Sequence, residues 1–435
     1  MFGEIVSMCL FFDRSVVFMR KKNQNNLKGF RYGGNDLTSR KIFLNMNIHD
    51  KISGFDSALV PVDAHHRIVK NYSSPLLLGP ERSESLLELV MHMFSAREAE
   101  IVQYLQPLRP RTVAKVAEKA GRPFEEVREI LDNLSLRKKV ILSYGEPRKF
   151  TILPIVPGTF EMALMTPDPA DRIGWHRRFA EIFEKIWDEG YIIKYTKRIN
   201  SNIRYLPVNG VSGSLYMAWP TDRLEEMLEP YDDFAVGLCQ CRMAMEFTGN
   251  GCGKPLEACV TMGPSAVNMI QRGLMRRSDR SEIIEIKHNA EDHGCVSWMM
   301  NDPGGLHRGN SSCSCCGCCC HFMRGITQFN APGFVSRPHF LPSLDNEVCI
   351  KCGKCFQACP MDAWEMVNGS PVFDPVRCIG CGLCVLACPV GAMSLKPVNT
   401  GDDHTPGWFT YFMDIVPGYI VNSFSIWLKR FIGSA

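Results

Sequence analysis

Cysteine is almost missing from the first half of this chain. Cys9 is the only one before residue 239, and the other 19 crowd between Cys239 and Cys388. A disulfide framework belongs to short exported chains with weak cores, whereas these 435 residues, about three domains by length, can bury several cores unaided. An excess of either charge is lacking too. Forty-nine Lys and Arg against 46 Asp and Glu leave +3, which points to no nucleic acid, anionic lipid or acidic substrate. With 45% hydrophobic and 22% charged residues, the composition is that of a globular protein, not of a disordered chain, a collagen or a membrane bundle. Residues 159–324 contain no phosphate-cradling Gly loop, HExxH pair or nucleophile elbow, so no nucleotide site and no catalytic residue is expected there.

Secretory features are lacking as well. Ile5 to Met19 is partly apolar, but Asp13 and Arg14 interrupt it, no basic stretch precedes it and no small-residue cleavage site follows. Lys21 to Arg40 is polar and rich in Asn, Lys and Gly, which predicts disorder within an extension spanning residues 1–82. Met46 is the expected true start, since nothing before it reads as a folded element. Thiolates reserved for metal need reducing surroundings, so the expected home is the cytoplasm of an anaerobe or of a cell protected from oxygen.

Helical periodicity then begins. Leu86, Leu89, Val90 and Met93 share one face, and Ile101, Val102 and Leu105 continue it after Ser95 as an N-cap. Thr112 opens a helix that Gly121 ends, and Pro123 starts another with Phe124, Val127, Ile130, Leu131 and Leu134 inward. Val140 to Leu142 and Phe150 to Leu153 read as a hairpin about Gly145 and Pro147. This order predicts a winged-helix-like module over residues 83–153. DNA binding is the disfavoured role. The helix that would enter a major groove, Phe124 to Lys139, carries Arg128, Arg137, Lys138 and Lys139 against Glu125, Glu126, Glu129 and Asp132, and the acids occupy the amino-terminal turns, where phosphates would be repelled. Packing or partner docking is the expectation. Residues 159–324 read as a mainly helical, cysteine-rich domain, with helices over Asp171 to Tyr191, Arg223 to Leu228, Pro264 to Leu274 and Glu282 to Asp292. His288 and His293 are read there as surface or packing residues.

The most specific signal comes last. Cys349 to Pro360 reads C-I-K-C-G-K-C-F-Q-A-C-P and Cys378 to Pro389 reads C-I-G-C-G-L-C-V-L-A-C-P, the same C-x2-C-x2-C-x3-C-P run repeated 29 residues later. Across Leu344 to Pro397 the chain resembles the bacterial-type ferredoxins that carry two 4Fe-4S clusters, which implies a two-cluster α+β domain, here bounded at residues 338–398. In that family the fourth cysteine of each run changes partner. The resemblance therefore implies Cys349, Cys352, Cys355 and Cys388 for one cluster, and Cys378, Cys381, Cys384 and Cys359 for the other. Gly353 and Gly382 are expected where the backbone passes close to sulfide. Trp364 to Met366 and Pro371 to Phe373 predict a hairpin about Asn368 and Gly369. Zinc knuckles are the alternative, but zinc prefers separated pairs of thiolates.

Upstream, Cys239, Cys241, Cys252 and Cys259 offer four thiols, and S-C-S-C-C-G-C-C-C offers Cys313, Cys315, Cys316, Cys318, Cys319 and Cys320. Thiolates so close would repel one another unless a cation neutralised them, so all ten are candidate metal ligands. One or two further iron-sulfur clusters are expected, with zinc as the alternative. Cys295 stands apart and reads as a free buried thiol. The series of motifs resembles a family of ferredoxin-fused proteins of anaerobic bacteria, over roughly Ser83 to Pro397, which implies redox work. Cys315, Cys316 and Gly317 also resemble, weakly, the Cys-Cys-Gly motif of heterodisulfide-reductase-type subunits.

The tail, residues 405–435, is aromatic, but Pro417 and Gly418 divide it into halves shorter than a membrane span of about 20 residues. Docking on protein is the favoured role, and peripheral membrane contact the second. The whole reads as an α+β multidomain electron carrier that exchanges single electrons with a partner redox protein or complex. The alternatives are a redox-sensing winged-helix regulator and the iron-sulfur subunit of an anaerobic oxidoreductase complex.

Overall fold

The computed structural model describes residues 60–398, except 75–76, 78, 108, 166–172, 192–202, 213–223, 301–310 and 333–334. The expectations for the first 45 residues and for the aromatic tail lie outside the described residues.

Helix α1 (Asp63–Tyr72) precedes α2 (Glu84–Met93), whose first turn is closed by Ser83 accepting from Leu86 N at 3.2 Å. Ser95 and Glu98 form a reciprocal capping box at the start of α3 (Ala96–Val102). Strand β1 (Arg111–Thr112) runs into α4 (Val113–Ala120), which Gly121 ends at φ 61, a left-handed conformation that favours glycine. Helix α5 (Phe124–Asp132) follows Pro123 and continues as a π-helical turn to Arg137. Strands β2 (Leu142–Tyr144) and β3 (Lys149–Thr151) complete an antiparallel sheet of order β1-β3-β2. Strand β2 starts and ends two residues later than the apolar pattern predicts, and β3 starts one residue earlier and ends two earlier. Val140, Ile141, Ile152 and Leu153 are buried beyond the strand ends, so apolarity there reports packing and not pairing. Helices α6 (Phe160–Met165) and α7 (Ile173–Asp188) follow, and α7 buries Phe179, Phe183, Ile186 and Trp187 against α2.

The cysteine-rich region departs from the mainly helical expectation. A six-stranded antiparallel sheet organises it, in the order β4 (Ile203–Tyr205), β8 (Val296–Met300), β9 (Ser311–Cys315), β6 (Glu257–Met262), β5 (Phe234–Leu238) and β7 (Arg276–Ser278). Helices α8 (Asn209–Ser212), α9 (Leu224–Leu228), α10 (Gln240–Phe247), α11 (Pro264–Gln271), α12 (Arg280–Asp292) and α13 (His321–Phe329) surround it. The strands escaped notice because the sheet is buried on both faces. Phe234, Val236, Val260 and Met299 enter one core while Ala235, Cys259, Cys313 and Cys315 enter the other, and Thr261, Ser297, Ser312 and Ser314 are buried as well, so no charged or exposed face marks these strands. The face bearing the cysteines is the one that meets the carboxyl-terminal segment.

That segment contains β10 (Phe340–Leu344), α14 (Lys354–Ala358), β11 (Trp364–Val367), β12 (Ser370–Phe373), α15 (Leu383–Leu386) and β13 (Met393–Pro397). Strands β10 and β13 pair antiparallel, bringing the two ends of the segment together, and β11 and β12 form the hairpin about Asn368 and Gly369, both at positive φ. Among the described residues, no helix is long and apolar enough to cross a membrane.

Candidate metal centres

In the duplicated segment, Gly353 and Gly382 take φ of 73° and 79° and open α14 and α15, so each short helix starts immediately after a C-x2-C loop. The glycines are explained by this left-handed turn. A Cβ on Gly353 would come no nearer than 3.8 Å to any atom, on Met366. Three thiols lie 3.4 Å from a backbone N–H: Cys349 from Lys351, Cys359 from Ala363 and Cys378 from Gly380. Such N–H groups are placed to support the sulfurs of a bound metal group.

Cys359 shares one cavity with Cys378, Cys381 and Cys384, not with its own run, and Met361, Trp364 and Ile379 close that cavity with apolar surface. Four sulfurs around an otherwise dry space fit the fourth-ligand crossing that a two-cluster domain requires. Burial pushes the Cys384 thiol up to about 12 and raises Cys381 as well, so these groups stay thiolates only beside a cation. The other set is nearer to solvent. Cys349, Cys355 and Cys388 are half-buried, Cys352 is exposed, and Ile350 and Phe356 beside them are 60% and 45% exposed.

Eight of the ten upstream thiols gather into two nests, and the other two pair beside the second. Cys252, Cys316, Cys318 and Cys319 have sulfurs that all lie within 4.8 Å of one another. Within that nest Cys252 and Cys316 are 4.0 Å apart, and Cys318 and Cys319 3.7 Å. The second nest forms where β5 ends and β9 turns away: Cys239 interacts with Cys241, Cys241 with Cys320, and Cys320 with Cys315. Tyr205 Oη stands 3.6 Å from Cys320 Sγ. Cys259 and Cys313, directly opposite on β6 and β9, approach each other to 3.4 Å beside this nest.

Cys295 does not stand apart. It packs with Cys316 and Cys319, and the Cys316 side chain raises its thiol. Its position at the start of a strand, after the α12 turn at Gly294, was legible, but no spacing rule connects it to residues some twenty positions on. His288 and His293 keep the roles expected of them: His288 lies 3.4 Å from Glu225, and His293 Nδ1 is 2.7 Å from the Asn289 carbonyl.

Sequence reasoning missed four supporting groups. Arg242, in C-Q-C-R, is 1% exposed and donates to the Ser314 carbonyl at 2.9 Å, with Cys295 and Cys316 at 3.7 and 3.8 Å. Burial opposes its charge, yet the Cys239, Cys295 and Cys316 sulfurs hold its pKa above the usual range. Lys287 is fully buried on α12 and donates to Ser312 Oγ at 2.7 Å. Burial lowers its pKa, and Cys313, Cys259 and Cys315 oppose that shift. His321 contacts Cys241 Sγ at 3.2 Å through Nδ1 and Glu184 at 2.7 Å through Nε2, and Arg324 donates to the same carboxylate. Only the position of Arg242 within C-x-C-R offered a signal. Lys287, Glu184 and His321 come from separate helices, and no local pattern predicts their meeting.

The centres join at Gly317. Its backbone lies so close to Pro360, the residue after Cys359, that a Cβ would stand 2.0 Å from the Pro360 carbonyl oxygen. Cys259, Cys313, Cys315 and Cys320 also share one core with Met361, Cys378, Ile379 and Cys381. A family profile described as a 4Fe-4S dicluster domain matches residues 348–392. That domain implies two 4Fe-4S clusters. No curated protein matches the chain.

Proposed function

We propose that this chain, built around its dicluster domain, is an iron-sulfur electron-transfer protein that exchanges single electrons with a partner redox enzyme. One observation carries the reading: the two sets of ligands differ in depth, with Cys378, Cys381 and Cys384 at 7–8% exposure beside the upstream thiols and Cys352 in solvent. Bound clusters supply reversible one-electron chemistry, and the protein sets their potential through burial and N–H donors. The buried set faces the cysteine-rich sheet; the exposed set faces whatever docks. Use of so many thiolates supports a reducing, cytoplasmic and oxygen-poor setting. Protein reduced anaerobically is expected to pass electrons to a one-electron acceptor dye, and failure to reoxidise against the dye would sink the proposal.

The series α2, α3, β1, α4, α5, β2, β3 supports a winged-helix module over residues 83–153, read as a docking element. Glu125 and Glu126 occupy the first turn of α5, and its one cation, Arg128, is paired with Glu125. Arg97 is likewise committed to Glu126 at 2.9 Å. Full-length protein is therefore expected to bind duplex DNA no better than a neutral protein does in a low-salt gel shift. Submicromolar, salt-sensitive binding would favour the redox-sensing regulator instead.

A further inference from the structure

We propose that the upstream thiols form two separate metal centres: a single tetrahedral ion of the zinc type at Cys252, Cys316, Cys318 and Cys319, and a third iron-sulfur cluster at Cys239, Cys241, Cys315 and Cys320. The proposal deepens the electron-transfer reading and rests on it.

Six thiols in the eight residues from Cys313 to Cys320 cannot all serve one centre, and the backbone divides them. At the end of β9, Cys315 turns toward Cys320 and Tyr205, while its neighbour Cys316 turns toward Cys252 and Cys319. Cys319 and Cys320 are split in the same way, one to each nest. Adjacent residues therefore serve opposite sites.

The nests differ in size. Zinc binds four thiolates at about 2.3 Å in a tetrahedron, which puts the sulfurs about 3.8 Å apart. The 3.7 and 4.0 Å separations in the Cys252 nest match a single ion. Among the described residues, no other set of three or more such ligand atoms lies wholly within 4.8 Å, the dicluster sets included. The Cys239 nest, like the dicluster sets, is not drawn wholly within that limit. Two of its members, Cys315 and Cys320, share a core with Cys378 and Cys381.

Arg242 is the second, independent observation. It is buried, its Nε and Nη2 have no hydrogen-bond partner, and among the described residues no carboxylate pairs with it. Its Nη1 lies 3.8 Å from Cys316 Sγ of one nest, and its backbone directly follows Cys241 of the other. A buried cation without a counter-ion is costly, and two anionic metal-thiolate groups on either side remove that cost. The guanidinium in turn offsets the repulsion between them.

The test is iron, acid-labile sulfide and zinc per chain on full-length protein purified without oxygen, with X-ray absorption at the zinc edge. About twelve irons and one zinc are expected, the zinc ringed by four sulfurs at about 2.3 Å. Cys318→Ser should lose the zinc and keep its iron, and Cys315→Ser should fall to about eight irons and keep the zinc. Eight irons in the unaltered protein would overturn the third cluster even if either variant failed to fold. Twelve irons without zinc would overturn the single-ion site, and loss of both metals in both variants would show one shared centre. Fewer than eight irons would bring down the dicluster assignment beneath the electron-transfer reading together with the third cluster.

Discussion

Replacing Cys359 by Ala will remove the iron and sulfide held with Cys378, Cys381 and Cys384 and leave intact the centre of its own run. The expected loss is about four irons and four sulfides from the dicluster domain's eight. The cause is geometric: Cys359 leaves α14 in extended conformation and lines the cavity of the second run, among Cys378, Cys381 and Cys384. With its fourth thiolate gone, that centre also sits in a buried site, where burial raises the Cys381 and Cys384 thiols and makes them hard to keep ionised. Electron paramagnetic resonance on the reduced variant distinguishes the outcomes. Loss of the solvent-facing centre, with the buried one retained, would show that the runs do not exchange their fourth ligands.

Gly317→Ala is expected to be strongly destabilising, although it adds a single methyl group. The new Cβ would meet the Pro360 carbonyl oxygen at 2.0 Å and its carbon at 2.9 Å, and neither is the movable end of a side chain. Overpacking of a tight core typically costs about 1–3 kcal/mol, and with backbone on both sides of the clash the upper end, about 3 kcal/mol, applies. Because the clash separates the Cys316–Cys318 turn from Cys359, the variant should also pass electrons between the sheet and the dicluster segment more slowly. Anaerobic denaturant unfolding checks the first effect. An unchanged midpoint would mean that the contact at Gly317 is not made in solution.

Much of the scaffold was legible because local chemistry dictated it. The cap at Ser95, the stop at Gly121 and the turn at Asn368 and Gly369 are each set by one or two residues. The duplicated runs were legible for the same reason, since a cluster loop is short and its spacing is its geometry. The six-stranded sheet was not. Phe234–Leu238, buried on both faces, lacks the polar alternation that marks a half-buried strand, and Ser311–Cys315 is made of Ser and Cys, which carry no strong strand preference. The ten upstream cysteines stood out in sequence as candidate metal ligands, but the gathering of eight of them into two nests was hidden. It depends on how β6 registers against β9 and on where the chain turns at Gly317, both set by contacts between residues far apart in sequence. Arg242 and Lys287 were invisible for a related reason: a buried cation declares itself only when the anions around it are seen.

The most direct test of electron transfer is an anaerobic potentiometric titration of the full-length protein followed by electron paramagnetic resonance. The account predicts reversible one-electron steps, at least one for each 4Fe-4S centre of the dicluster domain, with the step of the buried centre absent in Cys359→Ala. A protein that contains zinc but no labile sulfide, takes up no electrons and shows no paramagnetic signal on reduction would contradict it.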